Sequence, residues 1–170
     1  MDFNVILDRV QRAVTLKEGV YAEIGSDQAA TGQAIVVAAV AGLISSVTGA
    51  GGFFGRIIGG FIGGVIGLAI FTGVIFLIGR LFKGQGQYVE LFRGLGYASA
   101  PSALGLIPFL GWIGGIWSVV LAIRAVKEIN KVSDGAAAVT VLIPVVVIGF
   151  LVFILVVLAG IAMLGFAAAT

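Results

Sequence analysis

Long apolar runs alternate with short polar segments along the chain, and this pattern predicts a helical membrane protein. Runs without a charged side chain occupy residues 31–48, 57–78, 95–123 and 139–166. A helix needs roughly 17–25 residues to cross the hydrocarbon core, and every run reaches that length. Because a backbone in lipid must satisfy its hydrogen bonds within its own segment, we expect each run to be helical.

The third run is too long and too interrupted to be one straight helix. Pro101 and Pro108 each remove a backbone hydrogen bond and clash with the preceding turn, and Gly111 follows them. A hairpin with arms near 95–107 and 112–125 fits these positions. The arms are short, so they are either two thin spans or a re-entrant pair. With two crossings here, the predicted fold is an all-α transmembrane helix bundle of about five spans.

Residues 1–30 form a polar arm ahead of a five-span domain over residues 31–170. No positively charged region followed by a short apolar region is present, so we expect no cleavable signal peptide. Polar side chains occupy one helical face near the start, and the opposite face is apolar. The apolar face consists of Phe3, Ile6, Leu7, Val10 and Val14. This pattern predicts an amphipathic helix, which either lies in the membrane interface or packs against the bundle.

Glycine recurs at every fourth residue around the second run. The row consists of Gly51, Gly55, Gly59, Gly63 and Gly67, with a shorter row beside it at Gly60 and Gly64. Each step of four advances about 40° beyond a full turn, so the longer row is a ridge that another helix can approach closely. We interpret it as a packing face within the bundle, where leucine at Gly59 or Gly63 should damage assembly. A homo-oligomer seam and a pore lining are the alternatives.

Composition removes most kinds of chemistry. The chain is 60% hydrophobic and 11% charged, whereas soluble domains are roughly 45–50% apolar and 25% charged. Cysteine and histidine are absent, which excludes disulfides, thiolate chemistry and imidazole catalysis. No ionisable residue lies in the middle of a span, which argues against proton relays and intramembrane proteolysis. We therefore expect no enzyme activity, catalytic residue, cofactor, metal or nucleic-acid partner.

Lysine and arginine lie almost entirely on one side of the predicted spans. The other side carries only Arg56 of the ten basic residues. The rich side holds Arg9, Arg12 and Lys17 in the arm, and a basic surface made of Arg80, Lys83, Arg93, Arg124, Lys127 and Lys131. The positive-inside rule therefore predicts a cytoplasmic N-terminus and an outside C-terminus, with Thr170 across the membrane from Lys83.

The layout and several short motifs resemble the YIP1 family. The sharpest motif is LFRGLGYASAP at residues 91–101. Pro108, Trp117 with RAVKE at 124–128, and YAEI at 21–24 with ATGQA at 30–34 complete the resemblance, which covers nearly the whole chain. The YAEI and ATGQA motifs are similar to the N-terminal arm of short prokaryotic members, which implies a plasma membrane location. For eukaryotic relatives the family implies roles in Golgi and endoplasmic-reticulum vesicle traffic, with Rab GTPases and sibling members as partners.

Two functions remain open on these patterns. The first is a non-catalytic membrane scaffold, such as an accessory subunit of a larger membrane complex or a membrane-organisation factor. Its partners would be lipids and either other membrane proteins or further copies of itself, through small-residue helix faces. The second is a small channel or transporter for an uncharged or lipid-like solute, lined by the helices that the prolines break.

Overall fold

The structure, a computed structural model, describes residues 3–47, 52–107 and 109–169, with side chains up to Met163. All regular structure in these ranges is helical, as predicted. The helices are α1 (Phe3–Val14), α2 (Val20–Ser26), α3 (Ala30–Ser46), α4 (Phe53–Leu81), α5 (Tyr88–Ala98), a 3-10 helix (Ala100–Leu106), α6 (Leu110–Asn130) and α7 (Asp134–Ala169).

Three of the described helices are long and apolar enough to cross a membrane. They are α4, α6 and the Asp134–Met163 part of α7. Helices α2 and α3 are bent by 114° at a short break, and they provide a fourth candidate if they are taken together as one span. Helix α5 has only 11 residues, which is too short to cross alone. The structure therefore gives three to four candidate spans, and the number five stays a prediction.

The first arm of the predicted hairpin is broken into two helices. Helix α5 starts at Tyr88, ahead of the predicted arm, and it stops at Ala98. The 3-10 helix follows, with Pro101 in its first turn. Proline has no N–H to donate, so the α-helical hydrogen bonds cannot continue through this point. The predicted continuous arm over 95–107 is corrected accordingly, while Pro108 lies outside the described residues.

The second arm of the hairpin packs closely on the first. A Cβ at Gly111 would lie 3.2 Å from the Cα of Gly105, and a Cβ at Gly114 would collide with the carbonyl oxygen of Pro101. Glycine at these positions lets the backbones of α6 and the 3-10 helix meet. The arm is also longer than predicted, because α6 continues to Asn130.

Helices α3 and α4 are in backbone contact through the shorter glycine row. A Cβ at Gly64 would lie 2.5 Å from the carbonyl oxygen of Ala38 and 3.0 Å from the Cα of Gly42. A Cβ at Gly60 would collide with Ser46. Only glycine leaves room for this approach, which is the usual role of small residues between membrane helices.

Among the described residues, the longer glycine row makes no contact with a neighbouring helix. A Cβ at each of its described members, Gly55, Gly59, Gly63 and Gly67, would meet nothing within 4 Å. The interpretation of this row as an internal packing face is therefore corrected: neighbouring residues on a helix point about 100° apart, so Gly60 and Gly64 contact α3 while Gly59 and Gly63 do not. Gly51 lies outside the described residues, and the seam and pore alternatives stay predictions.

Buried side chains are concentrated at the end of the bundle that carries the polar segments. Residues 91–98 of α5 are all buried there, as are Tyr21 and Ile24 of α2 and Leu121 of α6. Away from this end the helices expose apolar side chains, and every residue of α7 from 146 to 163 is exposed. Protein packing therefore holds one end of the bundle, while apolar surface suited to lipid covers the remainder.

Candidate functional site

A buried polar network joins three elements at the packed end. Arg9 of α1 donates hydrogen bonds from Nη1 to Oε1 of Gln33 at 2.8 Å and from Nη2 to Oδ2 of Asp27 at 2.6 Å. The hydroxyl of Tyr97, at the end of α5, donates to the same Gln33 oxygen at 2.5 Å. Tyr97 is fully buried and Arg9 is 9% exposed. The network therefore attaches α1 to α3 and α5.

The bend between α2 and α3 positions Asp27, the acidic residue of this network. Asp27 lies in the bend, where its Oδ1 accepts a hydrogen bond from the N–H of Ala29 at 2.9 Å. The hydrogen bond from Arg9, together with that from Ala29, holds the pKa of Asp27 below its ordinary value. The carboxylate therefore remains charged across the physiological pH range, and its attachment to Arg9 persists with it.

Arg93 adds a second connection to the same bend. Its Nη1 donates to the carbonyl oxygen of Gly25 at 2.6 Å, and its Nε donates to the hydroxyl of Thr31 at 2.7 Å. The side chain is buried, which corrects its assignment to an accessible basic surface. Its charge stabilises backbone geometry at the end of α2 instead of facing solvent or lipid heads.

The end of α6 that leads to Asn130 attaches to α2 through Glu128. Its carboxylate accepts a hydrogen bond from the N–H of Tyr21 at 3.0 Å and one from Nε of Arg124 at 2.7 Å. A negative side chain at the first turn of a helix offsets the positive end of its dipole. Glu128 thus holds α6 against α2, although Tyr21 and Glu128 are more than 100 positions apart in the sequence.

Asn130 attaches the segment after α4 to the end of α6. Its backbone carbonyl accepts from the N–H of Gln85 at 3.1 Å, and its side-chain oxygen accepts from the N–H of Gly86 at 3.2 Å. A Cβ at Gly86 would lie 2.6 Å from that oxygen. The GQG sequence at 84–86 is therefore a close-packed turn around Asn130.

The six residues of the predicted basic surface have different surroundings. Arg93 is buried, Arg124 is paired with Glu128, and Lys127 lies 2.6 Å from Asp134. Arg80 is exposed, with its guanidinium 4.7 Å from the ring centre of Phe76 and a hydrogen bond to the carbonyl of Gly84. Only part of the predicted surface is therefore available to a partner.

Lys83 and Lys131 are the most available cations of the set. Both are exposed, and neither belongs to an ion pair among the residues that the structure describes. They follow the ends of α4 and α6 in left-handed conformations with φ of 59° and 54°. The Gln85–Asn130 hydrogen bond brings these two helix ends together. The C-terminal ends of α4 and α6, with their free carbonyl groups, thus lie at one surface together with Lys83 and Lys131.

A cavity of about 350 Å³ lies within the bundle, where α3, α4, α5, α6 and α7 meet around the start of the 3-10 helix. Its lining is largely alanine, glycine and aliphatic side chains, with four serine residues. None of the described residues that line it is charged. Within 3–47, 52–107 and 109–169, no three histidine, cysteine or acidic side chains come together as a metal site.

Sequence patterns located some of these residues and missed others. They place Arg9 on the polar face of α1, and they include Gln33 only within the ATGQA motif at 30–34, without a partner. The available signal was a single amide, Gln33, near the start of an otherwise apolar run, since an amide buried in such a run requires polar partners. Periodicity cannot identify those partners, because Arg9 and Tyr97 lie on other helices.

The sharpest sequence motif occupies the centre of the packed end. Tyr97 belongs to the buried network, and Pro101 is buried at the start of the 3-10 helix. A Cβ at Gly96 would lie 2.7 Å from the Cβ of Ala34, so glycine allows α5 and α3 to approach. A Cβ at Gly94 would lie 2.5 Å from Ile129 of α6. The motif therefore specifies the packing of α5 against its neighbours.

Apolar helices of spanning length, joined at one end by a buried polar network, define a polytopic helical membrane protein. The Yip1 domain family model matches residues 21–167, so the chain belongs to the Yip1 domain family. This confirms the family that the motifs indicated. No curated protein and no solved structure matches the chain.

Proposed function

We propose that this protein is a non-catalytic membrane scaffold that binds other membrane proteins, as an accessory subunit of a larger complex or as a membrane-organisation factor. One observation carries the proposal: the polar segments at 1–30, 80–93 and 124–131 are joined by hydrogen bonds at one end of the bundle, while the spans expose apolar surface. A preorganised polar surface lowers the cost of ordering when a partner binds. The proposed home is a prokaryotic plasma membrane.

The proposed docking point is the surface around Lys83 and Lys131. Two unpaired cations at helix ends suit an acidic segment of a partner protein. Anionic lipid heads are the competing ligand, and they would gain about 1 kcal/mol for each lysine near the membrane surface. The two ligands are distinguished by measuring both partner recovery and binding to anionic vesicles for the same variant.

Replacing Lys83 and Lys131 together with glutamine should reduce recovery of a stoichiometric partner protein by about tenfold, equivalent to about 1.4 kcal/mol of binding free energy. The measurement is purification from the native membrane with identification by mass spectrometry. The matched control replaces Lys17 and Lys127, which removes the same charge elsewhere on the polar end. Unchanged recovery with weaker binding to anionic vesicles would assign the lysines to lipid and contradict docking.

The proposed topology has five crossings, with the polar end in the cytoplasm and α1 in the membrane interface. The asymmetry of the basic residues supports the orientation. The hydrogen bonds of Arg9 and the exposed apolar side chains Phe3 and Leu7 support an α1 that contacts both the bundle and the lipid. Thr170 itself lies outside the described residues.

Single cysteines test this topology without interference, because the chain contains no cysteine. In intact cells, a membrane-impermeant thiol reagent should label a cysteine at position 170 and leave positions 83 and 131 unlabelled until the membrane is permeabilised. Labelling of position 83 in intact cells would show that the protein has the opposite orientation. Labelling of both 83 and 170 would require an even number of crossings between them.

The cavity favours a second candidate function, transport of an uncharged or lipid-like solute. Broken helices and an apolar interior path need no buried charge to move such a solute. Purified protein in liposomes discriminates between the two functions. Reproducible flux of a small uncharged solute would replace the scaffold proposal, whereas tight liposomes together with a stoichiometric partner would support it.

A further inference from the structure

The cavity within the bundle has the size and lining of a ligand site. Its volume of about 350 Å³ falls within the roughly 300–1,000 Å³ range of small-molecule sites. Protein interiors leave few voids larger than a water molecule, so a space of this size is unusual. Gly67, which lines it, lies near the middle of α4, so the cavity is at the depth of the hydrocarbon core.

Small side chains keep this space open. Ala38, Ala41 and Gly42 of α3 line it, together with Gly64 and Gly67 of α4. Helix α5 ends at Ala98, so no further α-helical turn extends into the space. Small residues on separate elements thus shape the cavity.

The lining combines a hydrocarbon-like surface with a few hydroxyl groups. Ser45, Ser99 and Ser102 each donate a hydrogen bond to a carbonyl oxygen of the local backbone, which leaves their oxygens able to accept. The hydroxyl oxygen of Ser118 is buried and has no hydrogen-bond partner among the described residues. A buried hydroxyl without a partner is costly, so a ligand oxygen that accepts its proton would be favoured.

The cavity opens sideways toward the surface of the bundle. Gly67 of α4 and Ser45 of α3 line it and are also exposed. A Cβ at Gly67 would meet nothing within 4 Å, so no side chain closes this point. A molecule dissolved in the bilayer can therefore reach the cavity beside Gly67 without crossing the polar end.

We propose that this cavity binds the hydrocarbon chain of an uncharged amphiphile that carries a hydroxyl group, such as a long-chain alcohol. The apolar lining takes the chain, and the Ser118 hydroxyl donates a hydrogen bond to the ligand oxygen. A charged head is excluded from the site, because no described lining residue can neutralise it. This binding is separate from the proposed scaffold function and requires no transport.

A photoreactive hexadecanol with a diazirine in its chain tests the site in purified full-length protein. Saturable cross-linking is expected at lining residues such as Ala41 and Leu68, with competition by unlabelled hexadecanol. Gly67→Phe fills the cavity and should abolish this labelling. Gly63→Phe is the matched control, because Gly63 is equally open but does not line the cavity, and its labelling should match that of the original chain.

Ser118→Ala tests the polar contact without adding bulk. The preference for hexadecanol over hexadecane as competitor should fall by about fivefold, the value of one net hydrogen bond of about 1 kcal/mol. Non-saturable labelling, or equal labelling in Gly67→Phe and Gly63→Phe, would overturn the site. An unchanged alcohol preference in Ser118→Ala would overturn the hydroxyl contact. Loss of partner recovery bears only on the scaffold proposal, so the two failures are distinguishable.

Discussion

Gly64→Leu should abolish recovery of monodisperse protein, because the new side chain would begin 2.5 Å from the carbonyl oxygen of Ala38. The contact is backbone against backbone, so no flexible side chain can move aside. Overpacking typically costs about 1–3 kcal/mol and occasionally more, which is a large part of the stability of a domain. Size-exclusion chromatography in detergent measures the result.

The neighbouring glycine provides the control for this prediction. Gly63→Leu places the same side chain on the same helix, but toward open space. It should give monodisperse protein in normal yield, contrary to the expectation from the sequence pattern. Similar losses for both variants would show that the Gly63 row also packs against protein, as a seam between copies would require.

Arg9→Met should reduce the free energy of unfolding by about 2–3 kcal/mol, because two hydrogen bonds from a charged donor are lost and the remaining partners keep their polar atoms. Thermal unfolding in detergent measures this change. Trypsin cleavage at Lys17 should also accelerate, because α1 loses its attachment to Gln33 and Asp27. The methionine retains much of the apolar stem of the arginine, so the packing of α1 changes little.

Arg12→Met is the matched control on the same helix. Arg12, like Arg9, has two side-chain partners, in this case the carboxylates of Asp8 and Glu23. Both of these carboxylates are exposed. Exposed ion pairs contribute about 0–1 kcal/mol, so this variant should unfold close to the original temperature. Equal destabilisation by the two variants would contradict a special role for the buried network.

The sequence was sufficient for features that depend on one segment alone. The long uncharged runs predicted α4 and α7, because crossing lipid imposes length and hydropathy on each helix separately. The prolines predicted the break near Pro101 for the same reason. Motifs near Tyr97 were specific enough to indicate the family that the domain match confirmed.

Features that depend on two segments were beyond the sequence patterns. A glycine row identifies a smooth helix face, but it does not say whether protein or lipid lies opposite, and here Gly60 and Gly64 contact α3 while Gly63 does not. The burial of Arg93 could not be predicted either, since its partners Gly25 and Thr31 are more than 60 positions away in the sequence. Polarity alone suggested exposure, and pairing across the fold allowed burial.

Helix α7 shows how the two ends of this protein respond to their surroundings. Its start is held by buried Ala137 and Val141, but from 146 to 163 each residue is exposed. Within the described residues, this part of the helix therefore has no neighbour that fixes its tilt. We expect bilayer thickness to set that tilt, since a hydrophobic stretch longer than the membrane tilts to match it. In membranes of different thickness, α7 should then change its angle while the hydrogen-bonded polar end keeps its shape.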